Sequence, residues 1–459
     1  MTWPRSTQCS PETAIPSHGK SSISPTEHTL IEVYVVSSSN RINWLRLVTL
    51  AIVASLSPGT SIAAEGEFHI TFGTTGDTNG RNTDSVTFVV ETESGDIVVA
   101  GGGGARWSDD GIGNHTSPLI ARINANGELQ WQHVYNDLES HRITALVSDG
   151  GAQYIVLERP LRDNLVSSVT LRRIGEQGNL SDVIVTLEGF WVVQTIPVVD
   201  GDLSYFLLAA KKGATSREAY ASTVQLFRLD LQGRITEMDF AGSFDFVEHL
   251  QHLGGQQFLL SRSGRGREVV VDGRQTLEVD TDIMRLNQSG ETELLFTLVN
   301  KMCRHITVSQ DQVLCVEYVA FTRQPPFGAI VAYTQSGQEL WRRDFEPDVE
   351  IRQMQALDSG EVLIAYQQGK NTIVSRYNSV GDPVLSHTMH STGEYIFLTA
   401  IETLRDGRIA FLGSTGSFGA FVSTDTDAML VVTDTSGNDL TTQEIVSTIV
   451  DYSTGASTH

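Results

Sequence analysis

Short runs of alternating apolar and polar residues follow one another along most of the chain, and polar turns separate them. In residues 119–131, apolar positions alternate up to Arg122, a polar turn containing Gly127 follows, and a second run carries Trp131. Alternation with a period of two predicts a strand with one buried face, and a glycine between two such runs predicts a hairpin turn with φ > 0. This segment therefore predicts two antiparallel strands joined by a tight turn.

The same pattern recurs six more times. The turn glycines are Gly127, Gly178, Gly233, Gly290, Gly337, Gly381 and Gly437, and successive ones lie 44 to 57 residues apart. Five copies carry an arginine five residues before the glycine, for which we expect a structural role as a partner of carboxylates or carbonyls on the adjacent strand. A second series of turns, with glycine in six of seven copies, lies between them in constant phase. A strand-built period near 50 residues predicts a β-propeller or a similar array.

Each repeat offers four strands, which we name a, b, c and d. The sequence thus predicts an all-β fold, a seven-bladed β-propeller of four-stranded antiparallel blades, with a linear β-solenoid of shorter coils as the alternative. A propeller must close where its last blade meets its first. The segment FHITFG at 68–73 lies where a d strand would end a preceding blade. It either completes the last sheet as a closing strand or packs beside residues 441–450.

The turns with tryptophan carry a resemblance to a known superfamily. NANGELQW, ending at Trp131, and TQSGQELW, ending at Trp341, resemble the turn–glycine–tryptophan docking repeat of exported bacterial propellers of the pyrroloquinoline-quinone-dehydrogenase-like (quinoprotein-like) superfamily. The other five copies lack the tryptophan. The adjacent-cysteine pair of the dehydrogenases is absent, and so is a clear calcium-binding constellation for quinone. The resemblance therefore implies the fold more than an activity.

The net charge of the chain limits the classes of molecule that it is expected to bind. The formal net charge is −23, and only four basic and three acidic residues precede Glu65, so residues 65–459 carry −24. So acidic a body repels phosphate backbones, which argues against a nucleic-acid partner.

The N-terminus predicts export. Residues 1–40 show no periodic pattern, which indicates either a disordered N-terminal extension or a start codon set too early. Residues 41–64 combine two arginines, an apolar run of ten residues and small residues ending at Ala64, as in a secretory signal peptide. The run is short for a membrane span. We expect a mature propeller over 65–459, without a membrane span, in the periplasm or outside the cell.

Two cysteines remain in that body. Cys303 and Cys315 fall on consecutive predicted strands, and a two-residue turn at Gln310–Asp311 would pair Cys303 with Tyr318 and place Cys315 on the other face. This register favours two buried thiols, whereas a β-bulge would allow a cross-strand disulfide.

No catalytic motif of the common hydrolase, zinc-protease or P-loop types occurs, and we predict no catalytic residues. The loop at 77–84 offers Asp77, Asn79 and Asp84 as candidate Ca²⁺ ligands, because calcium prefers several hard oxygen ligands in a loop. Asp109 and Asp110 form a weaker candidate of the same kind. An ordinary polar turn is the alternative interpretation of both loops, and no other cofactor is predicted.

Binding residues are expected on the b–c connections. In a propeller the short a–b and c–d turns share one end of the ring, and the b–c and d–a connections share the other. Here the b–c connections vary widely in length, and variable loops on a rigid scaffold are where binding usually resides. Eleven of the basic residues in them are Arg106, Arg159, Arg162, Lys211, Lys212, Arg217, Arg262, Arg265, Arg267, Arg323 and Lys370. Solvated surface charge is the alternative interpretation.

Among these, the predicted ligand-binding residues are Lys211, Lys212, Arg217, Arg262, Arg265 and Arg267. The sequence favours a secreted, non-enzymatic binding module whose partner is an extracellular or envelope protein or a glycan. The alternative is a propeller enzyme, either a quinone-dependent dehydrogenase or a glycan-cleaving enzyme.

Overall fold

The structure is a computed structural model. The chain divides into two units, Met1–Thr60 and Ser61–His459, and the described residues all belong to the second. These are residues 68–72, 84–107, 114–138, 140–159, 167–200, 203–213, 222–238, 246–255, 257–264, 267–271, 274–287, 289–318, 328–346, 349–369, 371–389, 395–416 and 426–434. The predicted extension at 1–40 and signal peptide at 41–64 lie outside them.

The described residues form a ring of antiparallel blades. A first strand, β1 (Phe68–Phe72), precedes blade 1, which contains β2 (Ser85–Glu91), β3 (Ile97–Trp107), β4 (Asn114–Ile123) and β5 (Leu129–Val134). Blade 2 contains β6 (Arg142–Asp149), β7 (Ala152–Arg159), β8 (Ser168–Ile174) and β9 (Val185–Glu188). Blade 3 contains β10 (Phe190–Asp200), β11 (Leu203–Lys212), β12 (Val224–Asp230) and β13 (Ile235–Met238).

Blade 4 contains β14 (Phe246–Gly254) and β15 (Gln257–Ser263), then an inserted hairpin of β16 (Arg267–Val271) and β17 (Arg274–Glu278), then β18 (Thr281–Asn287) and β19 (Thr292–Leu298). Blade 5 contains β20 (Met302–Ser309), β21 (Gln312–Tyr318), β22 (Gly328–Tyr333) and β23 (Glu339–Asp344). Blade 6 contains β24 (Val349–Ala356), β25 (Val362–Gln368), β26 (Asn371–Tyr377) and β27 (Pro383–Met389). In these parts of the chain no helix is long and apolar enough to cross a bilayer.

Blade 7 is assembled from both ends of the described chain. It contains β28 (Tyr395–Thr403), β29 (Ile409–Gly416) and β30 (Thr426–Thr433), and β1 supplies its outer strand. The register pairs Phe68 with Val432 and Phe72 with Ala428. The seven-bladed propeller is thereby confirmed, and so is the closing-strand interpretation of 68–73; residues 441–450 lie outside the described residues.

The turn glycines have the backbone conformation that the repeat predicted. Six of the seven have φ between +79° and +90°, and Gly437 lies outside the described residues. At Gly127 space is short as well, because a Cβ atom there would lie 2.5 Å from Cγ of Phe68. A side chain at this position would therefore meet both backbone strain and a steric clash.

At four of the described turns an aromatic side chain of one blade docks onto the turn of the next, and at Gly233 the neighbouring side chain is Ile184 instead. Trp131 lies against Gly178, and its Nε1 donates a hydrogen bond to the carbonyl of Glu176 at 2.9 Å. Trp341 docks in the same way, at the turn that follows β26. Phe68 and Phe296 occupy this role in two repeats without tryptophan. Phenylalanine therefore has the same docking role as tryptophan, so more blades use this contact than the tryptophans alone indicated.

Every inner strand carries a β-bulge at the same place. The register between strands a and b shifts by one residue in all seven blades, and the extra residues are Thr87, Thr144, Val193, Glu248, Arg304, Arg352 and Thr399. A bulge bends the strand and increases its twist. Repeated seven times, it shapes the inner wall of the ring.

The bulge also changes the prediction for the cysteines. The turn at Gln310–Asp311 is as predicted, but the bulge at Arg304 pairs Cys303 with Glu317 rather than with Tyr318. The two cysteine Cα atoms lie 5.7 Å apart, and the sulfurs form a disulfide. The favoured interpretation as two buried thiols was therefore wrong, and the physical reason is the extra residue, which brings both side chains into the same buried cluster.

Candidate functional site

The inner strands surround a channel of about 740 Å³. Its wall contains residues of β2, β6, β10, β14, β20, β24 and β28, one strand from each blade. Because these strands have a neighbour on one side only, their other edge presents unpaired N–H and C=O groups to the channel. The channel wall is therefore polar in its backbone even where its side chains are apolar.

Side chains from one blade satisfy part of the edge of the next. Gln194 accepts a hydrogen bond from the N–H of Leu250 at 2.7 Å and donates to its carbonyl at 2.9 Å. Gln353 donates in the same sense to the carbonyl of Thr399. His249 accepts the N–H of Ile306 at 3.4 Å through Nδ1. Each of these three side chains comes directly after the bulge of its own strand.

His305 stands at the equivalent place in blade 5, so blades 3 to 6 carry Gln, His, His and Gln there. The rings of His249 and His305 lie 5.6 Å apart. Burial, with the neighbouring His305 as a second cause, lowers the pKa of His249 to about 3. Burial, with Arg304 as a second cause, lowers the pKa of His305 to about 4. Both rings are therefore neutral at pH 7, and a neutral ring is what allows His249 to accept the backbone N–H of Ile306.

At the end of the channel next to the a–b turns the wall carries acceptors. Glu402 extends into the channel and is exposed to its solvent. Its carboxylate makes no hydrogen bond or ion pair with the described residues. Desolvation by the neighbouring protein raises the pKa of Glu402 to about 7. A second carboxylate, Glu91, accepts the N–H of Arg405 at 2.9 Å.

The opposite mouth, where the inner strands begin, carries cations stacked on aromatic rings. The guanidinium of Arg304 lies 4.9 Å from the ring centre of Tyr318, and that of Arg352 lies 4.5 Å from that of Phe397. Arg352 also pairs with Glu350 at 2.7 Å. Arg304 is exposed and makes no hydrogen bond or salt bridge with the described residues.

The predicted ligand-binding residues do not share one environment. Lys211, at the end of β11, is buried with its Nζ 4.5 Å from the ring centre of Phe246, whereas Lys212 beside it is exposed. Arg262 donates two hydrogen bonds to Asp282, at 2.8 and 3.0 Å. Lys211 and Arg262 are therefore already engaged within the fold. Arg217 and Arg265 lie outside the described residues, and of Arg267 the structure describes the backbone only.

The candidate calcium loop is described at one residue. Asp77 and Asn79 lie outside the described residues, as do Asp109 and Asp110 of the second loop. Asp84 is fully buried, and its N–H donates to the carbonyl of Thr426 at 2.8 Å, which ties the start of blade 1 to blade 7. Among the described residues no three His, Cys, Asp or Glu side chains are grouped as a metal site.

The recurrent arginines are structural where their partners are described. Arg122 donates two hydrogen bonds to Asp96, at 2.7 and 3.0 Å, and Arg376 lies 3.5 Å from Glu361. Arg228 instead stacks on Tyr205 at 4.4 Å. The expected role as partners of the neighbouring strand is confirmed for Arg122 and Arg376. Arg228 also contacts the neighbouring strand, through the aromatic ring of Tyr205.

Two buried acids were missed by the sequence. Glu158, near the end of β7, pairs with Arg142 and accepts the N–H of Val192 in blade 3 at 2.8 Å. Burial raises the pKa of Glu158, and Arg142 opposes this shift. Glu317, near the end of β21, pairs with Lys301 at 3.0 Å and, at 2.8 Å, with an arginine of β23. The sequence signal that could have indicated these buried acids is a single glutamate within an otherwise apolar strand.

No family model and no curated protein sequence matches the chain. Among solved structures, a puromycin hydrolase mutant complexed with PGG is 11% identical with a TM-score of 0.46, over 73% of this chain and 50% of the hydrolase. Prolyl oligopeptidase B from Galerina marginata is 9% identical with a TM-score of 0.44, over 76% and 51%. A Synechocystis apocarotenoid oxygenase mutant is 13% identical with a TM-score of 0.38, over 66% and 71%. The chain spans about half the length of the first two, and this similarity carries no conclusion about activity.

Proposed function

We propose that the mature chain is an exported, non-enzymatic propeller that binds an acidic ligand at the end of the ring formed by the b–c and d–a connections. The contrast between the two ends of the ring carries this proposal. At one end, glycine turns of nearly constant conformation repeat from blade to blade. At the other, the b–c connections differ in length, and the one in blade 4 contains the hairpin of β16 and β17. Irregular connections on a regular scaffold are the usual place for recognition.

The charge at this end favours an acidic ligand. Stacking on Tyr318 restricts the exposed guanidinium of Arg304, so less side-chain entropy is lost when it binds a carboxylate. Arginine and carboxylate can form two parallel hydrogen bonds. Lys212 supplies a second exposed cation at the same end. A uronic-acid glycan combines a carboxylate with apolar ring faces that suit Tyr and Phe, and it is the ligand class that we propose.

Titration with an oligogalacturonate tests this function. We expect Arg304→Gln to weaken binding about tenfold, the loss typical of a charged hydrogen-bond pair. The matched control is Arg234→Gln, which removes an exposed arginine from the turn end, where it pairs with Asp230. Affinity should also fall as salt screens the attraction. Equal losses in the two variants, or no binding of any acidic glycan, would contradict the proposal.

Export is supported by the pattern at 41–64 and by the disulfide, because structural disulfides persist mainly in oxidising compartments. We expect mass spectrometry of the periplasmic or extracellular fraction to find an N-terminus at Ala64 or Glu65. Recovery of the full-length chain from the cytoplasm alone would contradict export. Membership of the quinoprotein-like superfamily stays a prediction from the turn repeats.

A further inference from the structure

One recurrent arginine of the c strands, Arg173 in blade 2, has no partner for its guanidinium among the described residues. Its backbone N–H donates to the hydroxyl of Ser181 at 3.0 Å, while its side chain is exposed. The arginines at the same position of the other four repeats each have a partner: Asp96 for Arg122, Tyr205 for Arg228, Glu293 for Arg285 and Glu361 for Arg376. Blade 2 therefore departs from a contact that the repeat otherwise keeps.

The sequence of strand b explains the missing partner. In blades 1 and 6 the acid lies two residues before the residue that pairs with the arginine, so the acid and that residue project from the same face of the sheet. In blade 2 the residue paired with Arg173 is Tyr154, and two residues before it the chain has Ala152. A methyl group thus occupies the position at which blades 1 and 6 have a carboxylate.

A pocket of about 460 Å³ lies at this position, between blades 1 and 2 at the turn end of the ring. Ala152 and Arg173 both line it, together with Gly151 of the a–b turn and Gln130 and Trp131 of β5. Trp131 is only half-buried, so it offers the pocket an aromatic surface. The volume is within the range of small-molecule sites. The missing acid therefore leaves space for a ligand beside a guanidinium and an indole.

Two neighbouring acids do not replace the missing one. Glu176 lines the pocket three residues after Arg173, but it forms no salt bridge with that arginine. Glu93 reaches the a–b turn of blade 2 from blade 1, and it forms no salt bridge with Arg173 either. Arg122, the other arginine of the pocket wall, is already paired with Asp96 at 2.7 Å. Arg173 is therefore the cation of this pocket that an anionic ligand would meet.

We propose that this pocket binds a small aromatic carboxylate. The carboxylate would take the position of the acid that blade 2 lacks and accept two hydrogen bonds from Arg173, as Asp96 does from Arg122 at 2.7 and 3.0 Å. Charge-assisted hydrogen bonds of this kind are about twice as strong as those to a neutral group. The ring of the ligand would lie against Trp131, since aromatic pairs gain more than the burial of their surface. The pocket is at the opposite end of the ring from the b–c connections and is independent of the function proposed above.

Calorimetric titration with sodium benzoate at constant ionic strength tests the site, with benzamide as an uncharged probe of the same shape. We expect saturable binding of benzoate, at least tenfold weaker binding of benzamide, and at least a tenfold loss of benzoate affinity in Arg173→Gln. Arg228→Gln removes the arginine at the same position of blade 3 and should bind benzoate as the wild type does. Circular dichroism would confirm that both variants fold.

A second pair of variants supplies the missing acid within the chain. Ala152→Asp places a carboxylate where blades 1 and 6 have one, so it should pair with Arg173 and lower the affinity for benzoate at least tenfold. Ala152→Asn adds nearly the same volume without the charge, and it should weaken binding less. An equal loss in these two variants would mean that benzoate does not take the position of an acid, which would overturn the proposal.

Three further results would overturn it: no saturable binding of benzoate, equal binding of benzamide, or equal affinities in Arg173→Gln and Arg228→Gln. Should Arg173→Gln not fold, the two variants at position 152 decide. Arg304→Gln, the variant that tests the acidic-ligand face, should leave the affinity for benzoate unchanged. A tenfold loss there would assign the probe to the other end of the ring and overturn the proposal, whereas a failure of oligogalacturonate to bind has no effect on these outcomes.

Discussion

The two ends of the ring are built by different means. At the turn end, the six described c–d turns repeat a glycine with positive φ. An aromatic side chain docks on four of these glycines, and in several blades an arginine pairs with an acid of the adjacent strand. At the b–c end, the connections differ in length, and the contacts are individual ones such as Lys211 on Phe246 or Arg262 with Asp282. The repeated end holds neighbouring blades together. The varied end is where substitutions can accumulate without breaking the ring.

The largest effect is expected from removing the closing strand. A chain that begins at residue 74 lacks β1, exposes the edge of β30 and loses the burial of Phe68 and Phe72. Burial of two phenylalanines contributes about 3 to 6 kcal/mol, so we expect the cooperative unfolding transition to be lost. Denaturant unfolding would measure the loss of stability, with a chain that begins at residue 65 as the control. Equal stability of the two chains would contradict closure by β1.

Next comes a pair of glycines, one at each end. Gly127 and Gly189 have φ of +84° and +77°, but only Gly127 faces another side chain, whereas nothing lies within 4 Å of a Cβ at Gly189. We expect Gly127→Val to cost about 3 kcal/mol, because strain and overpacking add, and Gly189→Val about 1 to 2 kcal/mol from strain alone. Thermal unfolding separates the two effects. Equal costs would mean that the docking of Phe68 contributes nothing.

Lowering the pH should reduce the free energy of unfolding, because two histidines of the inner strands are buried. His249 and His305 have a folded-state pKa near 3 and 4, below the unfolded value of about 6.5. Their contribution to stability is therefore fully present above pH 6.5 and is lost progressively as pH falls from 6.5 toward the folded values, by up to about 2 kcal/mol per histidine at pH 5.

The other blades suggest the matched variant. Glutamine occupies the same position in blades 3 and 6, so His249→Gln with His305→Gln should keep an acceptor while removing the titration. Denaturant unfolding at pH 7 and pH 5 would measure the difference. A variant that loses as much stability as the wild type at pH 5 would show that other groups cause the acid sensitivity.

The smallest expected effects distinguish two adjacent lysines at the b–c end. Lys211→Ser removes a buried stem and a cation from the ring of Phe246, which should cost about 1 to 2 kcal/mol. Lys212→Ser changes an exposed side chain and should stay within about 0.5 kcal/mol. The melting temperatures of the two variants would show whether the b–c end separates structural from exposed charges as the structure indicates.

The sequence predicted the fold because the fold depends on local signals. A turn glycine such as Gly127 and the alternation around it act within a dozen residues, and seven copies reinforce one another. The prediction for the cysteines was wrong because the register is shifted by one residue. The bulge at Arg304 that causes the shift gives no local signal of its own. Lys211 and Lys212 were grouped because both follow the same strand, although successive side chains of a strand point to opposite faces.

The channel could not be predicted in this way. Its polar position recurs at 194, 249, 305 and 353, spaced like the repeats, but both glutamine and histidine occur there, which obscures the pattern. Besides the strand of Glu402 itself, the channel wall contains inner strands of the other blades, which are distant from Glu402 in sequence. An environment that is formed by strands distant in sequence cannot be predicted from the neighbouring residues.

Closure by β1 also decides when this protein can finish folding. The first of the described strands, β1, pairs with β30, the last of them, so its partner does not exist until the six blades between them have been made. Pairings between such distant residues are slow, because much of the chain's freedom must be given up before they form. Until then, blades 1 and 6 each lack a neighbour, and their open sides are exposed to other chains. Ring closure is therefore expected late in folding, and the interval before it is when the chain is most vulnerable to aggregation.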